Sequence, residues 1–281
     1  MAPRASARAL RPGRAAKHLV LLLFAVAALV PVYFMVTNSF KTADEYISNP
    51  YGLPRDFVLS TLRSALHDGD IYRWLLNSFV FTAASVVIST VIAALAAYPI
   101  ALMRWRPGNW VLSVLIALMV LPPIVLIVPL FQMMVDLHQL NTYRGVIVVY
   151  TGLMLPFSTF LLASFFRTVP RELLEAGHLD GAGHLRMLRS VVVPLSMPAL
   201  VTTATVQALW VWNEVLIAVV FLQRENLRTL MVGITIFRSR YHLDIPLVMA
   251  GMLWATIPMV LLYLAGQRFF IRGLTAGATK G

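Results

Sequence analysis

Glu214 is the one carboxylate set inside a long apolar run of this chain, and it closes a stripe. Thr203, Gln207, Trp210 and Glu214 recur at i, i+4, i+7 and i+11, one face of a helix, with Asn213 beside them. An unpaired carboxylate in such a run is costly, so it needs a partner, water or a ligand. An indole face next to amide and carboxylate groups suits the faces and hydroxyls of a sugar. A hydrogen-bond clamp between helices, or a wetted position near the membrane surface, would use the same residue types.

A second group of chemical residues lies upstream: Glu172, Glu175, His178, Asp180 and His184. Two histidines near an aspartate invite a metal, but no third ligand stands at a zinc-site spacing, so no metal is expected. The chain lacks Gly-x-x-x-x-Gly-Lys-Ser/Thr, Gly-x-Ser-x-Gly and His-Glu-x-x-His. Neither ATP hydrolysis nor another catalytic role is expected of it. Its arginine-rich segments lack the interleaved pattern of a nucleic-acid surface.

The segment 170–198 must position the second group. Pro170 suits a first helical turn, and Glu172 and Glu175 lie near that N-terminus, where the helix dipole favours carboxylates. Gly181 and Gly183 permit a sharp bend, and Pro194 is expected to stop the second piece. The pattern predicts a polar helix-turn-helix over residues 167–193, a docking element tethered between apolar runs.

Those runs decide the class. Of 281 residues, 59% are hydrophobic and 12% charged, against about 25% charged in soluble domains. The chain is expected to be an all-α integral membrane protein. Six spans are predicted, near residues 18–40, 74–103, 110–134, 145–166, 195–222 and 246–270, with tails at 1–17 and 272–281. Leu121-Pro122-Pro123 and Pro129 should kink the third span against its neighbours. Small residues along the second, such as Ala93, Ala94 and Ala97, should let helices approach closely. With both termini inside, the inner segments carry about +11 and the outer loops about +1, as the positive-inside rule requires. The basic balance then needs no polyanion ligand. With no cysteine, disulfides and thiolate metal sites are excluded.

The order Glu175-Ala176-Gly177, three residues, Gly181, nine residues, then Val191-Val192-Val193-Pro194 resembles the EAA loop of ABC importer permeases. Gly177 stands where that family has a second Ala, which should loosen the helix by about 1 kcal/mol. Leu188 stands where an aromatic is common. Asn77-Ser78, Leu121-Pro122, Pro129, Trp212-Asn213-Glu214 and the ending Gly273-Leu274-Thr275-Ala276-Gly277 extend the likeness to MalG-like permeases of carbohydrate ABC importers, over about residues 18–281.

The resemblance implies a type I importer fold and a permease subunit for a di- or oligosaccharide in the cell membrane of a bacterium. It implies a heterodimer with a second permease, two ABC ATPase subunits that bind ATP and Mg, and an extracytoplasmic solute-binding protein. This chain would bind no cofactor itself. The ATPase contact would comprise Glu175, Ala176, Gly177, His178, Asp180, Gly181, Ala182, Leu185, Leu188 and Pro194. Gln207, Trp210, Asn213 and Glu214 would line or gate the pathway. A non-sugar solute, such as a peptide, polyamine or phosphonate, remains open. So do an ion-coupled secondary transporter and a scaffold without transport.

Overall fold

The computed structural model describes residues 12–68, 70–103, 105–240 and 244–278. Among them every regular element is helical. Contacts divide the chain into two units, residues 1–69 with 240–253, and 70–239 with 254–281.

The first unit begins with α1 (Pro12–Ser39), which starts within the predicted tail. From Ala16 to Val32 its residues are exposed, as suits a helix surrounded by lipid or by other chains. The expected outer loop contains two helices, α2 (Ala43–Ser48) and α3 (Leu59–Asp68). Lys41 organises them. It is fully buried, and its ammonium donates to Asn38 Oδ1 (3.0 Å), Asn49 O (2.7 Å) and Gly52 O (2.9 Å). All three of its donors are matched, as burial of a charged group demands. Burial pushes its pKa below 10.5, while the nearby Glu45 carboxylate pulls it back up.

The second unit is built on α4 (Ile71–Leu102) and α7 (Tyr143–Phe166), packed along each other. Ser85, Ser89, Ala93 and Ala97 are buried on the contact face of α4, while Phe79, Val87 and Val91 point outward. Small side chains inside and large ones outside are what helix packing in lipid selects.

Asn77 and Ser78 brace one end. Asn77 Nδ2 donates to the carbonyls of Asn226 and Arg228, and Tyr143 donates to Asn77 Oδ1. The Leu230 N–H donates to Ser78 Oγ at 2.8 Å. They hold the start of α13 (Leu230–Arg240), a helix that polarity alone hid.

The third apolar run is broken rather than kinked. α5 (Gly108–Leu118) and α6 (Pro123–Asp136) meet at 100°. Pro122 and Pro123 supply no N–H to continue the ladder, and tight turns close α5 instead, with Val120 N to Ala117 O and Leu121 N to Leu118 O.

The hairpin follows as α8 (Arg171–Leu179) and α9 (His184–Met187), then a π turn over Leu188–Val192 and α10 (Val193–Leu195). α11 (Met197–Asn213), α12 (Leu216–Phe221), α13 and α14 (Ile245–Ala278) complete the order. α14 continues through the predicted tail boundary at 272. Residues 1–11 and 279–281 of the two tails lie outside the described residues.

Among the described residues four helices are long and apolar enough to cross a membrane, and up to six spans result if each bent pair counts as one. Six is therefore the upper count by length and composition.

Candidate coupling hairpin and intramembrane cavity

The hairpin turn is a complete Schellman motif. Ala182 N–H donates to Gly177 O at 2.9 Å and Gly181 N–H to His178 O at 3.0 Å. Gly181 adopts φ +76°, the left-handed region that disfavours a Cβ. Gly177 has a different reason to be glycine. A Cβ there would lie 2.3 Å from Met187 Sδ, so its absence lets the second arm close on the first. The helix loses propensity and gains a contact.

Exposure separates the predicted contact residues. Glu175, Ala176, His178, Asp180 and Gly181 are exposed, as are Leu179 and Leu185; Gly177 and Ala182 are half-buried. Apolar side chains displayed at a polar bend fit a protein partner. Leu188 differs. It is buried with Leu162, Ala163, Phe166 and Met187 in the chain's own core, so it anchors the hairpin from within.

Pro194 is exposed but does not end the second arm. The π turn widens the helix just before it, and the chain stays helical to Leu195. The break comes at Ser196, where the arm meets α11 at 79°. A π turn absorbs the ladder bond that proline cannot make. His184 ties the hairpin to α4. Tyr98 Oη lies 3.4 Å from its Nδ1, and the His178 ring packs on the His184 ring at 5.5 Å. Among the described residues no three His, Cys, Asp or Glu converge.

The intramembrane stripe splits into different roles. Thr203 is buried and donates to Ala199 O of its own helix at 2.8 Å. Gln207 and Trp210 line a 350 Å³ cavity with Leu118 at the end of α5, Met119 just after it, Pro123 from α6 and Gly152 from α7. The bent segment between α5 and α6 forms part of its wall. Gln207 is 2% exposed. Its Oε1 accepts from Ser89 Oγ at 2.8 Å, while its Nε2 has no partner among the described residues. A buried amide donor left unmatched costs about 1–3 kcal/mol.

Glu214 and Asn213 do not line this cavity. Asn213 Nδ2 donates to Leu209 O at the end of its own helix. Glu214 lies at the break between α11 and α12. Its Oε1 accepts from Ile217 N (2.8 Å), and its Oε2 from Ala218 N (3.0 Å) and Tyr150 Oη (2.9 Å). The carboxylate caps α12 and clamps it to α7. Tyr150 is fully buried and meets Trp210 edge-on at 6.0 Å, so a line of contacts joins the cavity to the break. Tyr150, Ser89 and Gly152 carried no signal along the chain, because partners across helices leave no local spacing. Trp212 is a core residue whose Nε1 donates to Ala255 O.

Residues 89–272 match the family model described as "binding-protein-dependent transport system inner membrane component". The melibiose/raffinose/stachyose import permease protein MelC of Bacillus subtilis is 34% identical, covering 94% of this chain and 95% of its own. The sulfoquinovosyl glycerol transport system permease protein SmoH of Agrobacterium fabrum is 32% identical, covering 96% and 95%. A chain from the crystal structure of a bacterial ABC transporter involved in the import of the acidic polysaccharide alginate superposes with a TM-score of 0.81. It shares 24% identity and covers 96% of this chain and all of its own. This chain belongs to the binding-protein-dependent transport system inner membrane component family.

Proposed function

We propose that this chain is one permease half of an ATP-driven importer of di- or oligosaccharides. A second permease completes the pathway, and two ATPase subunits holding ATP and Mg supply the motion. An extracytoplasmic binding protein delivers the sugar. Both termini and the hairpin face the cytoplasm of a bacterium. The chain contributes no catalytic residue and binds no cofactor.

One observation carries this reading: an exposed bend, fixed by Gly181, whose second arm is rooted in the core through Met187, Leu188 and Val192. A load applied to Glu175, Ala176, Asp180 or Leu185 would pass to α4 and α7 through that root. Packed helices switch between discrete arrangements, so the load would rock the bundle. Gln207 and Trp210 are the pathway residues, an amide and an indole that suit a hydroxyl and a sugar face.

The test is co-expression of this chain with its neighbouring permease and ATPase genes, and reconstitution in vesicles with the binding protein supplied on the outer side. Copurification of the ATPase, with ATP-dependent uptake of labelled oligosaccharide, is expected. Uptake of only a peptide or polyamine would overturn the sugar assignment. Uptake driven by an ion gradient without the ATPase would overturn the class.

A further inference from the structure

We propose that a basic cleft beside the hairpin holds the phosphate headgroup of an anionic membrane lipid. This rests on the hairpin lying at the bilayer surface, as the permease assignment has it. The cleft encloses 1170 Å³ where α4 ends, α5 begins and α8 leaves the core. Arg106, Arg167 and Arg171 line it, with Trp105, Asn109 and one carboxylate, Glu175.

No described carboxylate pairs with these three guanidinium groups. Arg167 Nη2 donates to the neutral Asn109 Oδ1 at 3.2 Å, leaving its other donors available. Three arginines against one glutamate leave a net positive cleft, and a guanidinium fork matches phosphate oxygens two at a time.

The level of the cleft selects the occupant. Leu102, Gly108 and Phe166 mark where three apolar helices end or start. Trp105 and Trp110 are 45% and 70% exposed there, as indoles at a headgroup belt are. Ile100 and Leu174 give the cleft an apolar side for the glycerol and upper acyl chain. Basic pockets between helices at a membrane face are the usual seats of anionic headgroups. An acidic protein segment would match the charge, but exposed indoles at the level where apolar helices end are the mark of a headgroup belt.

The experiment is native mass spectrometry of the full-length chain, with whatever subunits copurify, titrated with phosphatidylglycerol or phosphatidylcholine. Phosphatidylglycerol should be retained preferentially. Each of Arg106→Gln, Arg167→Gln and Arg171→Gln should lower that preference about fivefold, and the triple variant should abolish it. The single variants keep the test decisive if the triple variant folds poorly. Equal retention of both lipids, or unchanged preference in the variants, would overturn the proposal. So would displacement of lipid by millimolar inorganic phosphate, which would mark a site for the free anion. Loss of copurified ATPase with lipid preference intact would assign the cleft to a protein. Oligosaccharide uptake in phosphatidylcholine vesicles reports on the permease assignment separately.

Discussion

Gly181 sits at φ +76°, and a Cβ added there would meet nothing within 4 Å, so backbone conformation alone restricts it. A β-branched residue there would cost about 1–2 kcal/mol in the turn. Gly181→Val is expected to lower oligosaccharide uptake at least tenfold while membrane insertion stays unchanged. Uptake at the native rate would remove the hairpin from the coupling route. Lys41 gives a pH test. Its pKa is lowered in the folded chain, so between that value and 10.5 the unfolded chain holds a proton that the folded chain has released. Stability attributable to Lys41 therefore rises with pH through that window. The melting temperature of the native chain, compared with Lys41→Met, should shift in its favour as pH approaches 10.5. A pH-independent difference would sink that account.

At the scale of elements, two broken helices define the site. α12 has six residues, too few to be stable alone, and Glu214 holds its first turn. Glu214→Ala removes acceptors from two backbone N–H groups and the buried Tyr150 hydroxyl, at about 1–3 kcal/mol for each donor left unmatched. Tyr150→Phe removes one bond and should cost about 1 kcal/mol. Thermal unfolding in detergent should rank the native chain above Tyr150→Phe, and that above Glu214→Ala. The reverse order would refute the clamp. The apolar runs announced most of these helices, and Pro122-Pro123 announced a disturbance in the third. Its size did not follow, because a kink and a 100° break differ in what neighbouring helices will cover. The π turn before Pro194 was likewise silent, since it depends on Leu188 and Val192 finding a core.

For the whole molecule, the proposed sugar path runs by way of the cavity. Gly152 lines it, and a Cβ there meets nothing within 4 Å. Gly152→Trp should occupy the space, lowering uptake at least tenfold with ATPase copurification unchanged. Undiminished uptake would place the sugar path elsewhere.

What the chain's order of residues determined by itself is the class, the hairpin and the family. Hydrophobic length, charge asymmetry and the Glu175–Pro194 spacing are local properties, and local properties survive in one dimension. Only the tertiary structure decided which partners the polar residues of the stripe find. Glu214 and Gln207 look alike along one stripe. One carboxylate commits its oxygens to Tyr150 and α12, while one amide, of a residue that lines a cavity, keeps a buried donor without an acceptor among the described residues. The difference lies in partners supplied by other helices, and hydrogen bonding in a low-dielectric interior makes those partners decisive.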